Sequence, residues 1–367
     1  MDLEYYKPDA AKACERMAAW WEKEILDRPT IQVCAPKPKP KPGPKKHHAS
    51  LRDRWMDVDY VLEGAQTNVA NTYWGGECLP AVATNLGPDV VAAAYGCPLV
   101  FEETTSWSEP CLKDWDAVPR LKLNHEDIYL KTILEMTRRA LQMGRGKFLV
   151  SHTDLHPGGD LAAALRDPQQ LALDVALEPE RVRELLKQVR PAFHEYYDLQ
   201  YRIIQEHGQK LTTTWLPLFS PGRYYPPSND FSIMISPQMF REFFLDELTE
   251  ECEWLDRSCY HLDGPGALRH LDTLLGIDAL DAIQFVYGAG NEPASRWLHV
   301  YKRIQDAGKN IQVHVEPSDI DPFMQALRPE GVMMTTWAAS VEDAEALIAK
   351  VAKWPLKRPK EKGKMKK

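Results

Sequence analysis

The stretch SCYHLDGPGALRHLDTLLGIDALDAIQFVYGAGN, residues 258–291, decides the fold of this 367-residue chain. An apolar run at 258–261 ends in Asp-Gly-Pro-Gly, a helix-sized interval follows, and a second apolar run occupies 282–286. Neighbouring parallel strands need a crossover of about a dozen residues or more, usually a helix. The stretch therefore predicts one β/α unit of an α/β protein.

The same alternation extends in both directions along the chain. Further strand-like runs lie at 30–34, 81–84, 148–151, 211–215, 311–315 and 332–336, which makes eight runs in all. Eight units favour a single (β/α)8 TIM barrel, preceded by an N-terminal helical extension at 3–26. We assign the barrel to residues 1–354 and predict that the Lys-rich, Pro-interrupted stretch 355–367 is a flexible basic tail. No Gly-x-Gly-x-x-Gly turn follows an early strand, which disfavours a doubly wound sheet.

Local signals predict where helices and loops lie between these runs. Ser236 is suited to cap a helix whose first position is Pro237, because apolar residues then recur at helical spacing. Between 36 and 48, Pro alternates with Lys, which favours polyproline II and predicts a mobile surface loop. Other helices are predicted near 169–206, 293–307, 318–327 and 340–353.

Composition excludes several classes of protein. With 44% hydrophobic and 27% charged residues the chain is expected to form a globular core, and its net charge of -8 argues against a nucleic-acid partner. No apolar run approaches the roughly 20 residues of a membrane span, so we expect no membrane partner and a cytoplasmic location. The seven cysteines are odd in number and contain no Cys-x-x-Cys pair, which argues against a disulfide framework.

In a barrel, polar residues that follow strands on the C-terminal side meet at one mouth. The run at 148–151 leads into His152, Asp154 and His156, a density that suits either a metal or acid/base chemistry. The next connection is long and holds Tyr225 and Asp230. Helix capping and rim packing are the structural alternatives for each of these residues.

The sharpest local pattern is His261-Leu262-Asp263, because alternation along a strand puts His261 and Asp263 on one face. A histidine and a carboxylate so placed can bind a metal or work as an acid/base pair, and a buried polar pair is the structural alternative. The remaining strand ends contribute Trp215, Gln284, Glu316 and Trp337. We predict three groups of site residues: catalytic His261, Asp263, Asp154, His156 and Asp230; substrate-binding His152, Trp215, Tyr225, Gln284 and Trp337; and metal-binding His261, Asp263 and Glu316.

Two segments give the sequence a family likeness. The first is 260–291, with His-Leu-Asp-Gly-Pro-Gly and Ala-Ile-Gln-Phe-Val-Tyr-Gly-Ala-Gly-Asn, and the second is Ile-Ser-Pro-Gln-Met-Phe-Arg-Glu-Phe at 235–243. Together they resemble the uroporphyrinogen decarboxylase superfamily, which also contains zinc-dependent corrinoid and coenzyme M methyltransferases. The resemblance covers about residues 145–350 and implies the TIM barrel.

The sequence departs from both branches at informative positions. The decarboxylase branch begins its barrel with an Arg-rich segment that holds substrate carboxylates, and the matching 34–39 has none. The methyltransferase branch binds zinc through His-x-Cys and a distant Cys; here His261-Leu262-Asp263 stands at the first place and 335–340 contains no Cys. A site of His261, Asp263 and Glu316 would be a harder ligand set, less suited to thiol activation.

Three functions follow as hypotheses. The first is methyltransferase-like one-carbon transfer between a small-molecule substrate and a corrinoid on a partner protein, with zinc or another divalent metal at His261, Asp263 and Glu316. The second is a decarboxylase or related lyase that uses His152, Asp154, His261 and Asp263 as acid and base on a carboxylated, porphyrin-like substrate. The third is a non-catalytic barrel that binds a flat ligand between Trp215, Tyr225 and Trp337.

Overall fold

The computed structural model describes residues 3–117 and 120–356. Its strands are β1 Ile31–Pro36, β2 Thr72–Gly76, β3 Ala81–Ala83, β4 Leu99–Phe101, β5 Ser106–Ser108, β6 Leu149–Ser151, β7 Leu211–Thr213, β8 Phe219–Pro221, β9 Tyr224–Tyr225, β10 Arg257–Asp263, β11 Ala282–Val286, β12 Asn310–His314 and β13 Val332–Trp337. Its α-helices are α1 Ala10–Trp21, α2 Leu51–Met56, α3 Val58–Asn71, α4 Val90–Ala94, α5 Ile128–Gly144, α6 Gly158–Arg166, α7 Pro168–Leu177, α8 Pro179–Val189, α9 Ala192–Glu206, α10 Pro237–Phe243, α11 Leu245–Trp254, α12 Gly264–Ala267, α13 Leu271–Leu275, α14 Leu298–Asp306, α15 Ile320–Ala326 and α16 Val341–Val351.

The protein is an α/β protein built on a mostly parallel sheet. Seven strands are hydrogen-bonded in the order β2-β1-β13-β12-β11-β10-β9. All neighbours in this sheet are parallel except β2, which runs antiparallel to β1 along its outer edge. Among the described residues β3–β6, β4–β5 and β7–β8 form separate pairs, so the hydrogen-bonded sheet does not close on itself.

A strand is present at each of the eight positions predicted from the sequence: β1, β3, β6, β7, β10, β11, β12 and β13. Short runs whose interiors lack Asp, Glu, Lys and Arg mark them, because strands of a parallel sheet are covered on both faces. β10 pairs with β11 in the register Tyr260 with Ile283 and His261 with Gln284. This register places the polar ends of the two strands side by side.

The N-terminal extension covers the end of the sheet opposite the polar strand ends. α1 is shorter than the predicted helix at 3–26, and Lys23 just beyond it has φ 58°, a left-handed conformation that ends the helix. Trp20 and Trp21 are buried with Leu149, Cys259 and Met333 near the starts of strands. The indole N–H of Trp21 donates to the Phe219 carbonyl at 3.0 Å. This extension therefore covers the starts of these strands and leaves their C-terminal ends uncovered.

Several local predictions are confirmed. Ser236 caps α10 by accepting the Met239 N–H at 3.2 Å, and the helical region at 169–206 is divided into α7, α8 and α9 with Pro179 and Pro191 at the breaks. The Pro/Lys segment after β1 has irregular structure, and Asn71 holds it through the Lys41 backbone at 2.8 and 2.9 Å, so its mobility stays a prediction.

No helix in the described part of the chain combines the length and the apolar character required to cross a bilayer. The predicted basic tail lies outside the described residues from position 357 onward.

Candidate active site

Three polar side chains converge at the C-terminal end of β10. His261 and Asp263 leave the same face of this strand, and Asp230 begins the 3-10 helix Asp230–Met234 that approaches them. Each residue offers one nitrogen or oxygen atom, and these atoms lie within 4.8 Å of one another. The backbone N–H of His261 donates to the Pro227 carbonyl at 2.9 Å, which holds the loop before Asp230 against β10.

The neighbouring strand fixes the orientation of the His261 ring. Nδ1 of His261 lies 2.6 Å from Oε1 of Gln284, a side chain that is fully buried in β11. Because a carbonyl oxygen only accepts, this contact places a ring proton on Nδ1, so that Nε2 is the ring nitrogen available to a ligand. Trp215 packs edge-on against the ring, with centroids 5.0 Å apart. A metal-binding histidine is commonly oriented in this way by a partner on its other nitrogen.

The loop after β6 adds a second histidine, His156, which lies beside a carboxylate. Nε2 of His156 lies 3.4 Å from a carboxylate oxygen of Asp154. Burial alone lowers the pKa of His156, but the hydrogen bond to Asp154 and the negative charges of Asp154, Asp160 and Asp230 outweigh it and raise the pKa to about 10. His156 is therefore an imidazolium at neutral pH.

Asp230 lies between the two histidines. Burial raises its pKa to about 6, the negative charge of Asp160 adds to this, and electrostatic interactions with the rings of His156 and His261 oppose it. An acid with this pKa is mostly ionised at neutral pH but gains a proton readily. Asp230 therefore suits either a metal ligand or a proton acceptor.

Two groups of three residues in the described part of the chain bring potential ligand atoms within 4.8 Å: Asp230, His261 and Asp263, and His156, Asp160 and Asp230. The second group is poorly suited to a cation. His156 carries a proton, and the carboxylate of Asp160 accepts the backbone N–H groups of Asp230 at 3.0 Å and Phe231 at 2.8 Å. We therefore regard Asp230, His261 and Asp263 as the candidate metal centre.

The structure brings together two of the three metal ligands predicted from the sequence, His261 and Asp263, but not Glu316. Glu316 is exposed at the start of the 3-10 helix Pro317–Asp319, where its N–H donates to the Asp319 carboxylate at 3.2 Å. It belongs to neither group of ligand atoms among the described residues. Strand β12 ends before Glu316 and the chain turns there. Asp230 replaces Glu316 as the third candidate ligand.

The predicted substrate-binding residues fall in three different places. Gln284 and Trp215 contact His261, as described above. Tyr225 is fully buried, and its hydroxyl contacts the backbone N–H and carbonyl of Leu155 at 2.5 and 3.1 Å, so it positions the Asp154–His156 loop rather than a substrate. His152 is buried and stacks on Tyr197 of α9 at 4.1 Å, and Trp337 is 58% exposed at the end of β13.

Some residues around the site were not singled out from the sequence. Asp160 organises the turn at Asp230, and its position at the end of the His/Asp-rich stretch was the available signal. Glu247 and Glu251 of α11 are buried behind this turn; burial raises the pKa of Glu247 to about 7 and that of Glu251 well above its usual value. Both lie in an acidic amphipathic helix, and nothing in that sequence pattern predicted that these two carboxylates are buried. His314 is the last residue of β12, and burial, followed by the electrostatic interaction with His261, lowers its pKa.

Comparison with known proteins adds no assignment. No protein-family model matches the chain. No curated protein matches it at a significant level.

Proposed function

We propose that this protein is a divalent-metal-dependent enzyme that transfers a methyl group between a small methylated substrate and a corrinoid cofactor on a partner protein. The observation that carries the proposal is the convergence of Asp230, His261 and Asp263, with ligand atoms within 4.8 Å of one another. The resemblance of 260–291 to the uroporphyrinogen decarboxylase superfamily supplies the reaction class. We further propose that the strands of this α/β protein form a closed (β/α)8 barrel.

The pattern of strand contacts supports the closed barrel. β10, β11, β12, β13 and β1 are consecutive parallel neighbours, and β3 pairs with β6. The His152 N–H donates to the Thr213 carbonyl at 2.9 Å, which joins the end of β6 to β7. In this arrangement all eight C-terminal strand ends would surround the candidate metal centre.

The donor set fits a divalent cation. An imidazole nitrogen and two carboxylates are ligands that zinc accepts in catalytic sites, where a further position stays open for water or substrate. A bound metal would supply Lewis-acid polarisation of a substrate heteroatom. Without a thiolate ligand, such a site favours oxygen or nitrogen groups over sulfur.

The surrounding residues of this chain would orient the substrate and handle the proton. When a methyl group leaves a substrate heteroatom, that atom keeps the bonding electron pair and needs a proton. His156, an imidazolium held by Asp154, would donate it. Gln284 would keep the His261 ring in place, and Trp215 would form an apolar wall beside the substrate.

The test is a metal and methyl-transfer assay on the purified full chain. Metal content is measured after zinc loading and dialysis, and formation of methylcobalamin from free cob(I)alamin is followed by absorbance with a panel of methylated amines and ethers. We expect Asp263→Asn to lose metal and turnover and Asp272→Asn, at an exposed carboxylate, to retain both. Turnover that survives complete metal removal would refute the metal-dependent mechanism, and metal binding without turnover of any substrate would leave a non-catalytic binding barrel.

One observation favours decarboxylation or a related lyase reaction as the second candidate. The charged His156 and the readily protonated Asp230 are neighbours, which is an acid/base pair suited to protonating a carbanion. Release of carbon dioxide from carboxylated substrates, lost in His156→Gln but kept after chelation, would select this reaction over methyl transfer.

A further inference from the structure

Two cysteines far from the candidate metal centre lie unusually close together. The Sγ atoms of Cys97 and Cys111 are 3.0 Å apart. Cys97 precedes β4 and Cys111 follows β5, so the two residues lie at the open end of the β4–β5 hairpin. The backbone N–H of Glu109 donates to the Pro98 carbonyl at 2.9 Å, which extends the hydrogen bonding of the hairpin toward the two cysteines. Both are free thiols. The hairpin therefore holds two thiols in contact.

The two thiols differ in exposure. Cys97 is 2% exposed, whereas Cys111 is exposed to solvent. The hydrogen bond from the Cys97 thiol lowers the pKa of Cys111 to about 7, despite an opposing contribution from burial. The same hydrogen bond, followed by burial, raises the pKa of Cys97 far above its usual value. Cys111 is thus the more nucleophilic and the more accessible partner.

We propose that Cys97 and Cys111 form a thiol–disulfide exchange site that reacts with low-molecular-weight disulfides of the glutathione class. An exposed attacking thiol beside a buried second thiol is the arrangement that such exchange requires. The site is independent of the proposed function, because none of its reacting atoms belongs to the candidate metal centre.

The exchange takes place in two steps. The Cys111 thiolate attacks one sulfur of the small disulfide, so that a mixed disulfide forms and one thiolate leaves. Cys97 then loses its proton and attacks the Cys111 sulfur, which forms the Cys97–Cys111 bond and releases the second small thiol. The protein is oxidised by two electrons and the small disulfide is reduced to two thiols. Once Cys111 carries no charge, the main cause of the raised pKa of Cys97 is removed.

A second close pair in the same chain provides an internal comparison. Cys34 and Cys78 have Sγ atoms 3.4 Å apart, but Cys78 is buried and its pKa is raised well above the usual value by the hydrogen bond with Cys34 and by burial. Neither Cys34 nor Cys78 is exposed. We expect this pair to react much more slowly with a small disulfide.

The sequence allows a direct assay of the proposed bond. Glu102 and Glu103 lie between Cys97 and Cys111, so cleavage after glutamate separates the two cysteines unless a disulfide joins them. The full-length protein is equilibrated with oxidised and reduced glutathione, the exchange is stopped by acid, and free thiols are alkylated with a maleimide in denaturant, so that buried thiols also react. The digest is then analysed by mass spectrometry with and without reduction. We expect the two fragments to remain joined after oxidation and to separate on reduction, with Cys34 and Cys78 alkylated.

Single variants identify the role of each thiol. In Cys97→Ser, the mixed glutathione disulfide on Cys111 should accumulate, because no second thiol releases it. In Cys111→Ser, Cys97 should remain alkylatable, and Cys14→Ser should behave as the wild type. Persistent glutathione on Cys111 in the wild type, a bond between Cys111 and any other cysteine, or the absence of oxidation at either position would overturn the proposal.

Discussion

Replacing Asp230 with asparagine should stabilise the metal-free protein and weaken zinc binding at the proposed metal centre. Burial, together with the charge of Asp160, raises the Asp230 pKa from 3.8 to about 6. For an acid, a raised folded-state pKa means that the ionised form is disfavoured in the folded protein, so the penalty is absent below pH 4 and complete above pH 6. At about 1.4 kcal/mol per pKa unit, the shift corresponds to at most about 3 kcal/mol. Because Asp230 is partly exposed, we expect about 1–3 kcal/mol.

The assay compares wild type and Asp230→Asn by urea and thermal unfolding in the presence of a chelator. At pH 7.5 the variant should be more stable, with a Tm a few degrees higher for a chain of this size. At pH 4 the difference should shrink toward zero, because Asp230 is then protonated in the wild type and resembles asparagine. Asp272→Asn, which removes an exposed carboxylate paired with Arg303, is the matched control and should show no such pH-dependent gain.

The same variant should bind zinc more weakly. Outer-shell changes commonly cost about 10–100-fold in metal affinity, so loss of a direct ligand should cost at least about tenfold. In the wild type, protonation of Asp230 alone should lower affinity about tenfold between pH 7 and pH 5, and this contribution should vanish from the profile of the variant. An unchanged zinc affinity would show that Asp230 is not a ligand. A metal-free variant less stable than wild type at pH 7.5 would show that the Asp230 carboxylate is not a disfavoured buried charge.

Three other perturbations probe separate parts of the site. His156→Gln should remove a pH dependence of stability. The raised pKa of His156 stabilises the folded state fully below pH 6.5, and this contribution, at most about 5 kcal/mol, is lost as pH rises through about 10. Urea unfolding should therefore show a larger loss of stability between pH 6.5 and pH 9.5 in the wild type than in the variant. Gln284→Leu should lower zinc affinity about 10–100-fold in calorimetric titrations because the His261 ring loses its orienting partner; an unchanged affinity would exclude this role. Glu316→Gln should leave zinc affinity unchanged, and a tenfold decrease would restore Glu316 as a ligand.

The strands were predictable from the sequence for a simple physical reason. The interior of a strand buried on both faces excludes Asp, Glu, Lys and Arg, so β10, β11 and β12 are visible as short uncharged runs. The antiparallel strand β2 was missed because Thr72–Gly76 contains two glycines and lies at the edge of the sheet. Glycine is unfavourable in strands generally, and edge pairing has no apolar signature.

The candidate site was predictable only in part. The sequence shows which residues share a face of one strand, but it does not show which residues from different strands and loops come together. His261 and Asp263 share a face by alternation, and the structure brings them together. Glu316 was placed with them by analogy between strand ends, yet the chain turns at Pro317 and its carboxylate is exposed. His152 was placed in the mouth for the same reason, but its ring lies against Tyr197 on the helix side of β6. Which side of a strand end faces the mouth depends on packing against the crossover helix.

Asp230 couples the two halves of the site through charge. It lies beside His156, which carries a second proton at neutral pH, and its carboxylate lies within 4.8 Å of a ring nitrogen of His261. A cation bound at Asp230, His261 and Asp263 would draw the negative charge of Asp230 away from His156. The pKa of His156 would then fall, since its high value depends in part on that charge. Metal binding would in this way make the His156 proton easier to transfer, so occupancy of the centre and acidity of the proton donor would rise together.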